Sequence, residues 1–424
     1  MHVGVSTYID PRDGGIAQYT SMVFRAMAER PADFAGDTLT LFGTERNQRA
    51  AQSYGARFDT MREAPPQSSV ATIGRRLLAG GPLRRVARKV YAAQQMRRQE
   101  RYDANAHAGV GAAGTWMREQ GVDVVFSPIY NPFLVELGLP TAIAVHDVQH
   151  LIQPHFPEST DRGLWERSEY VLRNAARSRS MMIVAESETG REDLLECYGE
   201  HGLTADRIAV VPYTIPPHIR PDAREEEQAR VRAKYPLPGR YLFYPAYFFQ
   251  HKNHARLIEA LGLITQVSHE RIPLVLSGSY GDAESTRTYR EMMRTAERVG
   301  VTDQVTYLGF VPDEDMTGLY AGAAALVMPS LFGPTNVPLI EAWALGCPVV
   351  TSNLRGIREM CGDAALLVAP GSVEDIALAM LAVWTNGALA AALAERGAMR
   401  AEQFSPARFR DAYWAMLRQA KALA

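Results

Sequence analysis

The chain has 424 residues, more than one hydrophobic core comfortably organises, which predicts two domains. Hydrophobic residues make up 47% and charged residues 22%, the balance of a soluble globular protein, and a net charge of −2 provides no global field to recruit nucleic acid. Cys197, Cys347 and Cys361 form no Cys-x-x-Cys pair, which speaks against a disulfide framework or zinc site and fits a reducing cytoplasm.

The opening run His2-Val3-Gly4-Val5-Ser6 reads as a strand and lacks the basic, apolar, small-residue order of a signal peptide. No apolar stretch approaches the ~18 residues needed to cross a bilayer. The expectation is a cytoplasmic chain whose membrane contact, if any, is peripheral, at the inner face of the plasma membrane.

Short apolar runs then alternate with helical patterns to the end of the chain. Strands are predicted at residues 3–6, 38–42, 122–127, 141–145, 181–185 and 208–211. A second set is predicted at 241–244, 273–277, 305–308, 325–328, 348–351 and 366–368. The runs are rich in Val, Ile and Leu without polar alternation, as in parallel strands buried on both faces. Helices between them imply right-handed crossovers and doubly wound α/β layers. Between the sets, Pro212, Pro216, Pro217, Pro221, Pro236 and Pro238 surround an acidic run, Glu225-Glu226-Glu227, and read as a connection. The predicted domains are 1–220 and 221–404. A last helix over 405–424, capped by Ser405 with Pro406 at its first position, carries an apolar stripe of Phe409, Tyr413, Met416, Leu417 and Ala420.

Ligands of open α/β sheets bind beyond the carboxyl ends of the strands. Four places qualify. After the first strand, Gly14 and Gly15 open a helix with Ile16, Tyr19, Met22, Val23, Ala26 and Met27 on one face; they allow close approach of an anion, or make a plain turn. His146-Asp147 follows the strand 141–145; His146 is placed to hold a proton in the cleft, or is satisfied by local backbone. In His251-Lys252-Asn253-His254, Asn253 can cap a helix bearing Leu257, Ile258, Leu261 and Ile264. Lys252 then sits at a helix N-terminus, fit to neutralise a diphosphate, or is a solvated surface lysine. Finally, the run from Ser330 to Ala342 follows the strand 325–328. The backbone amides of Thr335, Asn336 and Val337 can hold phosphate and sugar oxygens. Glu341, placed in the first helical turn, can accept from a ribose diol or complement the helix dipole. Gly346, Cys347 and Pro348 end that helix.

These strings resemble the family-4 retaining glycosyltransferases of the GT-B fold. The resemblance covers nearly the whole chain and is most specific from Tyr244 to Val368, where it is similar to a bacterial subgroup that builds surface polysaccharides. Ser187-Glu188 also looks like a recurring family feature. The resemblance implies two Rossmann-like domains facing across a cleft, with the last helix crossing back to the first domain. Gly15 matches the glycine facing the donor diphosphate, His146 a cleft histidine near the transferred sugar, and Lys252 the diphosphate lysine. Glu341 matches the second Glu of Glu-x7-Glu, which binds the donor ribose, and Phe310 and Val311 lie where the base is held. There are two departures. Gly333 replaces the first Glu, which usually contacts the donor sugar, and Ala246 and Tyr247 occupy the place of an Arg that often precedes the lysine, so that His251 or His254 could assist Lys252 instead.

The function so implied is transfer of a hexose or deoxyhexose from a nucleoside diphosphate sugar, GDP-mannose or a deoxyhexose donor preferred, to a glycan or lipid-linked glycan with retention. No metal and no separate cofactor are expected. The alternatives are a sugar-nucleotide epimerase or phosphorylase of the same architecture, and a non-catalytic nucleotide-sugar-binding scaffold subunit. Nine basic residues between Arg75 and Arg101 are interleaved with Leu77, Leu78, Leu83, Val86, Val90 and Tyr91. This segment can dock on an anionic membrane or be a solvated insertion.

Overall fold

The computed structural model describes residues 1–6, 15–43, 48–49, 51–52, 58–62, 112–160 and 164–423. Gly14 and the basic segment 75–101 lie outside the described residues.

Two wholly parallel sheets carry the fold. The first holds β1 (His2–Ser6), β2 (Thr38–Phe42), β3 (Thr60–Arg62), β4 (Val124–Ser127), β5 (Thr141–Ala144), β6 (Met181–Ala185) and β7 (Ile208–Val210). Its order is β3-β2-β1-β4-β5-β6-β7. The second holds β8 (Leu242–Pro245), β9 (Leu274–Ser277), β10 (Val305–Tyr307), β11 (Ala325–Met328), β12 (Val349–Ser352) and β13 (Leu366–Val368). Its order, β10-β9-β8-β11-β12-β13, is the Rossmann order, and the first sheet follows it with one added strand. β4, β5, β6, β11 and β12 are buried at every position, which is why they read as unbroken apolar runs. β3 is the strand the apolar pattern misses: Thr60 and Arg62 are exposed, and it pairs at the sheet edge through Thr40↔Thr60 and Phe42↔Arg62.

The last helix, Pro406–Lys421, packs on the first domain. Ser405 accepts the Arg408 amide as N-cap, and Phe409, Tyr413, Met416, Leu417 and Ala420 are all buried, together with Trp414. They join the core formed by β1, β4 and the helix Gly15–Ala28. Trp414 Nε1 donates to the Ala26 carbonyl at 3.3 Å, and the Tyr19 and Tyr413 hydroxyls bond each other. Ile16, expected on that helix's buried face, is 40% exposed at its start. The chain therefore passes between the domains twice. The two passages touch: Thr214 Oγ1 and the Ile215 amide both donate to the Phe404 carbonyl at 3.0 Å.

Segments following the strands of one sheet bond segments following the strands of the other. Gln153 Nε2 donates to the Leu331 carbonyl at 3.1 Å. The Glu359 carboxylate, from the second domain, accepts the Glu188 and Thr189 amides at 2.8 Å and the Thr189 hydroxyl at 2.7 Å, so it caps the helix Glu188–Tyr198 of the first. Arg355 bonds Asp193 beside it. The carboxyl ends of both sheets thus face one cleft. Among the described residues no single helix is long and apolar enough to cross a membrane.

Candidate active site

His146 lies just beyond β5, and its Nδ1–H donates to Glu186 Oε1 at 2.6 Å. Glu186 stands just beyond β6, with a side chain only 2% exposed. Burial disfavours the imidazolium, but the bond and charge of Glu186, with Asp147 adding, leave the His146 pKa above its ordinary value. Tyr19 packs edge-on against the ring at 4.6 Å. His146 Nε2 is buried with no hydrogen-bond partner among the described residues. Glu186 was not singled out by sequence pattern. Its signal is visible only once β5 and β6 are paired, because it extends their register.

Lys252 ends a short 3-10 turn, Gln250–Lys252, after β8. The turn is held by the Tyr244 hydroxyl on the Lys252 carbonyl at 2.8 Å and by the Leu331 amide on the His251 carbonyl at 2.6 Å. Burial pushes the Lys252 ammonium down to about 8, against the attraction of Asp147 and Glu158. No carboxylate among the described residues forms a salt bridge with it. His251 is tied across the cleft: its amide and Nδ1–H both donate to Glu158 Oε1, at 2.9 and 2.6 Å. Burial and the neighbouring Lys252 charge nonetheless hold its pKa below the ordinary value. His254 is stacked between Tyr244 and Phe248, at 4.9 and 4.4 Å, and burial with the Lys252 charge lowers it to about 3. It is a neutral core ring, not a partner for phosphate.

Asn253 occupies the N-cap position of the helix His254–Ser268, but its side chain does not cap it. Its φ is 62°, and Nδ2 donates to the Pro329 and Pro370 carbonyls at 2.8 and 2.7 Å. Asn253 clamps the strand ends of β11 and β13 to the lysine turn. Leu257, Ile258, Leu261 and Ile264 are buried as expected.

The loop 330–336 follows β11 and leads into the helix Val337–Ala344. Glu341 is the fifth residue of that helix, one turn further in than expected, so it does not complement the dipole of the first turn. It is 2% exposed. Its Oε1 accepts from His218 Nε2 at 3.0 Å and its Oε2 from the Tyr320 hydroxyl at 2.6 Å. Burial opposes charge on His218, but Glu341, with Asp313 adding, raises its pKa. Of the amides assigned to ligand oxygens, that of Asn336 is turned to Met360 Sδ at 3.5 Å. The Asn336 Nδ2 is buried without a partner among the described residues, the Thr335 hydroxyl bonds Tyr213, and Val337 is buried against the first domain's core.

Gly333 has a φ of 140°, which L side chains rarely adopt, and a Cβ there would lie 3.1 Å from Asn336 Nδ2. That conformation explains why no glutamate stands at 333. Gly356 is equally constrained: its Cβ would lie 2.2 Å from the Pro334 carbonyl oxygen, so only glycine lets the next helix approach the loop. Phe310 is 70% exposed beyond β10 while Val311 is buried, and Gly15 opens its helix with no heavy atom within 4 Å of a built Cβ. The structure thus brings His146, Lys252 and the 333–337 loop to the strand ends that face the cleft, and sets Glu341 behind the loop.

Residues 225–400 match the family described as Glycosyl transferases group 1. O-antigen chain mannosyltransferase B of Escherichia coli is 28% identical over 277 residues, 65% of this chain and 68% of that one. Serotype-specific mannosyltransferase WbdA of Escherichia coli is 26% identical over 241 residues, 56% of this chain but only 29% of that longer protein. Among solved structures, Anabaena Alr3699/HepE in complex with UDP and glucose superposes with a TM-score of 0.67 at 16% identity, covering 99% of both chains. WaaG, a glycosyltransferase involved in lipopolysaccharide biosynthesis, superposes with a TM-score of 0.63 at 16% identity, covering 98% of this chain and 99% of that one. These structural likenesses concern the fold. With two facing Rossmann-type sheets and a family match over the second of them, the chain has the GT-B fold, and its residues 225–400 form a glycosyl transferases group 1 domain.

Proposed function

We propose that this protein is a glycosyltransferase that transfers mannose or a related hexose from a nucleoside diphosphate sugar, GDP-mannose first among donors, to a hydroxyl of a glycan or lipid-linked glycan during surface polysaccharide synthesis. The observation that carries this reading is Lys252: a half-buried cation in the cleft, its proton loosened by desolvation, with no carboxylate bonded to it among the described residues. An anion of high charge density is the ligand such a group favours. The mannosyltransferase names of the sequence relatives support the sugar and the class of product.

In this scheme the bond from the anomeric carbon to the leaving phosphate breaks as the bond to the acceptor oxygen forms on the same face. The acceptor proton passes to the departing phosphate oxygen, so no protein base is required and configuration is retained. Lys252 stabilises the charge gathering on the diphosphate without a metal. His146 Nε2 and the 333–337 loop orient the sugar, and Glu341, anchored by Tyr320 and His218, supports the ribose.

The test is thermal shift with GDP, UDP, dTDP and their sugars on wild type, Lys252→Ala and Glu341→Ala, followed by product analysis with a mannan acceptor. A ligand bound only by the folded state raises the melting temperature by mass action. GDP and GDP-mannose are expected to shift the wild type and neither variant, and the product is expected to be α-linked. A shift without any transfer would favour a binding subunit, and interconversion of the donor sugar without acceptor would favour an epimerase.

A further inference from the structure

His146 and Glu186 are brought together by the sheet. β5 and β6 pair in parallel through Thr141↔Met181 to Ala144↔Val184, and each strand runs on two residues to His146 and Glu186. Alternation puts both on the face of Ala144 and Val184, the face covered by the helix Gly15–Ala28 and the last helix. The charged and titratable groups that meet the pair there are Asp147, beside His146, and the hydroxyls of Tyr19, Tyr213 and Tyr413, all three of which feel the Glu186 charge. The tyrosines are neutral near pH 7. A carboxylate as buried as Glu186 is costly unless a cation meets it, and His146 is the group bonded to it. With Nδ1–H so engaged, Nε2 has no partner at hydrogen-bond geometry among the described residues, though the Pro128 backbone also favours a proton on the ring.

We propose that Glu186 is a positioning residue: through the 2.6 Å bond it fixes the His146 ring with Nδ1–H towards the protein, favours the imidazolium, and leaves Nε2 aimed at a hydroxyl of the transferred sugar. This rests on reading the cleft as the donor site. A neutral partner at 186 would free the ring to turn and would let it lose its proton at lower pH, with the fold otherwise unchanged.

The experiment is a ¹⁵N-histidine NMR titration of wild type, Glu186→Gln and Glu186→Asp, joined to transfer kinetics across the same pH range in those proteins, in His146→Ala and in the double variant. The His146 pKa is expected to fall in Glu186→Gln and to recover in Glu186→Asp. Turnover is expected to fall about ten-fold in Glu186→Gln with donor KM changed less than about two-fold, and its alkaline limb to move to lower pH with the NMR value. Glu186→Gln is expected to add no loss to His146→Ala. An unchanged His146 titration in Glu186→Gln, or a further loss in the double variant, overturns the positioning role while leaving the donor site standing. A wild type that turns over no sugar nucleotide overturns the donor-site reading, and the sugar contact with it.

Discussion

Lys252→Met keeps the length of the side chain and removes its charge. In the folded protein the Lys252 pKa is about 8, against ~10.4 for an unperturbed lysine. A pKa lowered by roughly 2.4 units corresponds to about 3 kcal/mol of unfavourable desolvation at neutral pH, and partial exposure reduces this to roughly 1–3 kcal/mol. The sign follows from proton counts: between about pH 8 and ~10.4 the unfolded chain binds more protons, so wild-type stability rises with pH across that window. Lys252→Met is therefore expected to raise the melting temperature of the ligand-free protein at pH 7 by roughly 2–10 °C and to flatten its rise above pH 8. Nucleoside diphosphate binding moves the other way. Loss of one charge-assisted contact, worth about 1.5–3 kcal/mol, weakens it roughly ten- to 150-fold. Calorimetric melting from pH 7 to 10, with and without GDP, reads both effects. A variant less stable than wild type at pH 7, with undiminished nucleotide binding, would refute the argument that Lys252 is an unsatisfied cation kept for an anionic ligand.

Three further outcomes are expected. Gly333→Glu, which installs the family's usual residue, forces a side chain onto a φ of 140° and is expected to cost about 1–3 kcal/mol without raising turnover, as melting and transfer assays would read. Glu359→Ala removes the cap that the second domain places on the helix Glu188–Tyr198, so the cleft opens more readily; small-angle scattering should find a larger radius of gyration and donor affinity should fall up to about five-fold. His218 has a pKa raised in the folded state by Glu341, so its contribution is complete below ~6.5 and is lost as pH rises through the folded value. His218→Gln is expected to remove that loss, seen as a flatter melting temperature through the neutral range.

The two sheets were legible because parallel strands buried on both faces leave unbroken apolar runs, and every such run became a strand. β3 left none, since in this three-residue edge strand only Met61 packs on the core while Thr60 and Arg62 are exposed. The last helix was legible from its cap and stripe together. At the site, sequence could place a residue at a strand end but not say what its side chain meets. Asn253 has the residue type of a cap and acts as a clamp on two proline carbonyls, because the left-handed turn at 253 aims its amide away from the helix. His254 stands two residues from Lys252 in sequence, yet the start of a helix turns it inward to stack between two aromatic rings. Glu186 is forty residues from His146, and only strand pairing makes them neighbours.

The last helix also fixes an order of events during synthesis. Phe409, Tyr413, Trp414, Met416 and Leu417 fill the core of the first domain, yet they leave the ribosome roughly 200 residues after β7. At ~5–20 residues per second, the roughly 200 residues that follow β7 take about 10–40 s to make. Throughout that interval the nascent first sheet lacks the helix that covers one of its faces, while the second sheet, whose strands are contiguous in the chain, can close on its own. The domain begun first is completed last, so the nascent chain exposes an apolar face that a ribosome-associated chaperone would be expected to cover, and a frameshift or stop after residue 405 would strand the N-terminal half unfinished beside an intact C-terminal half.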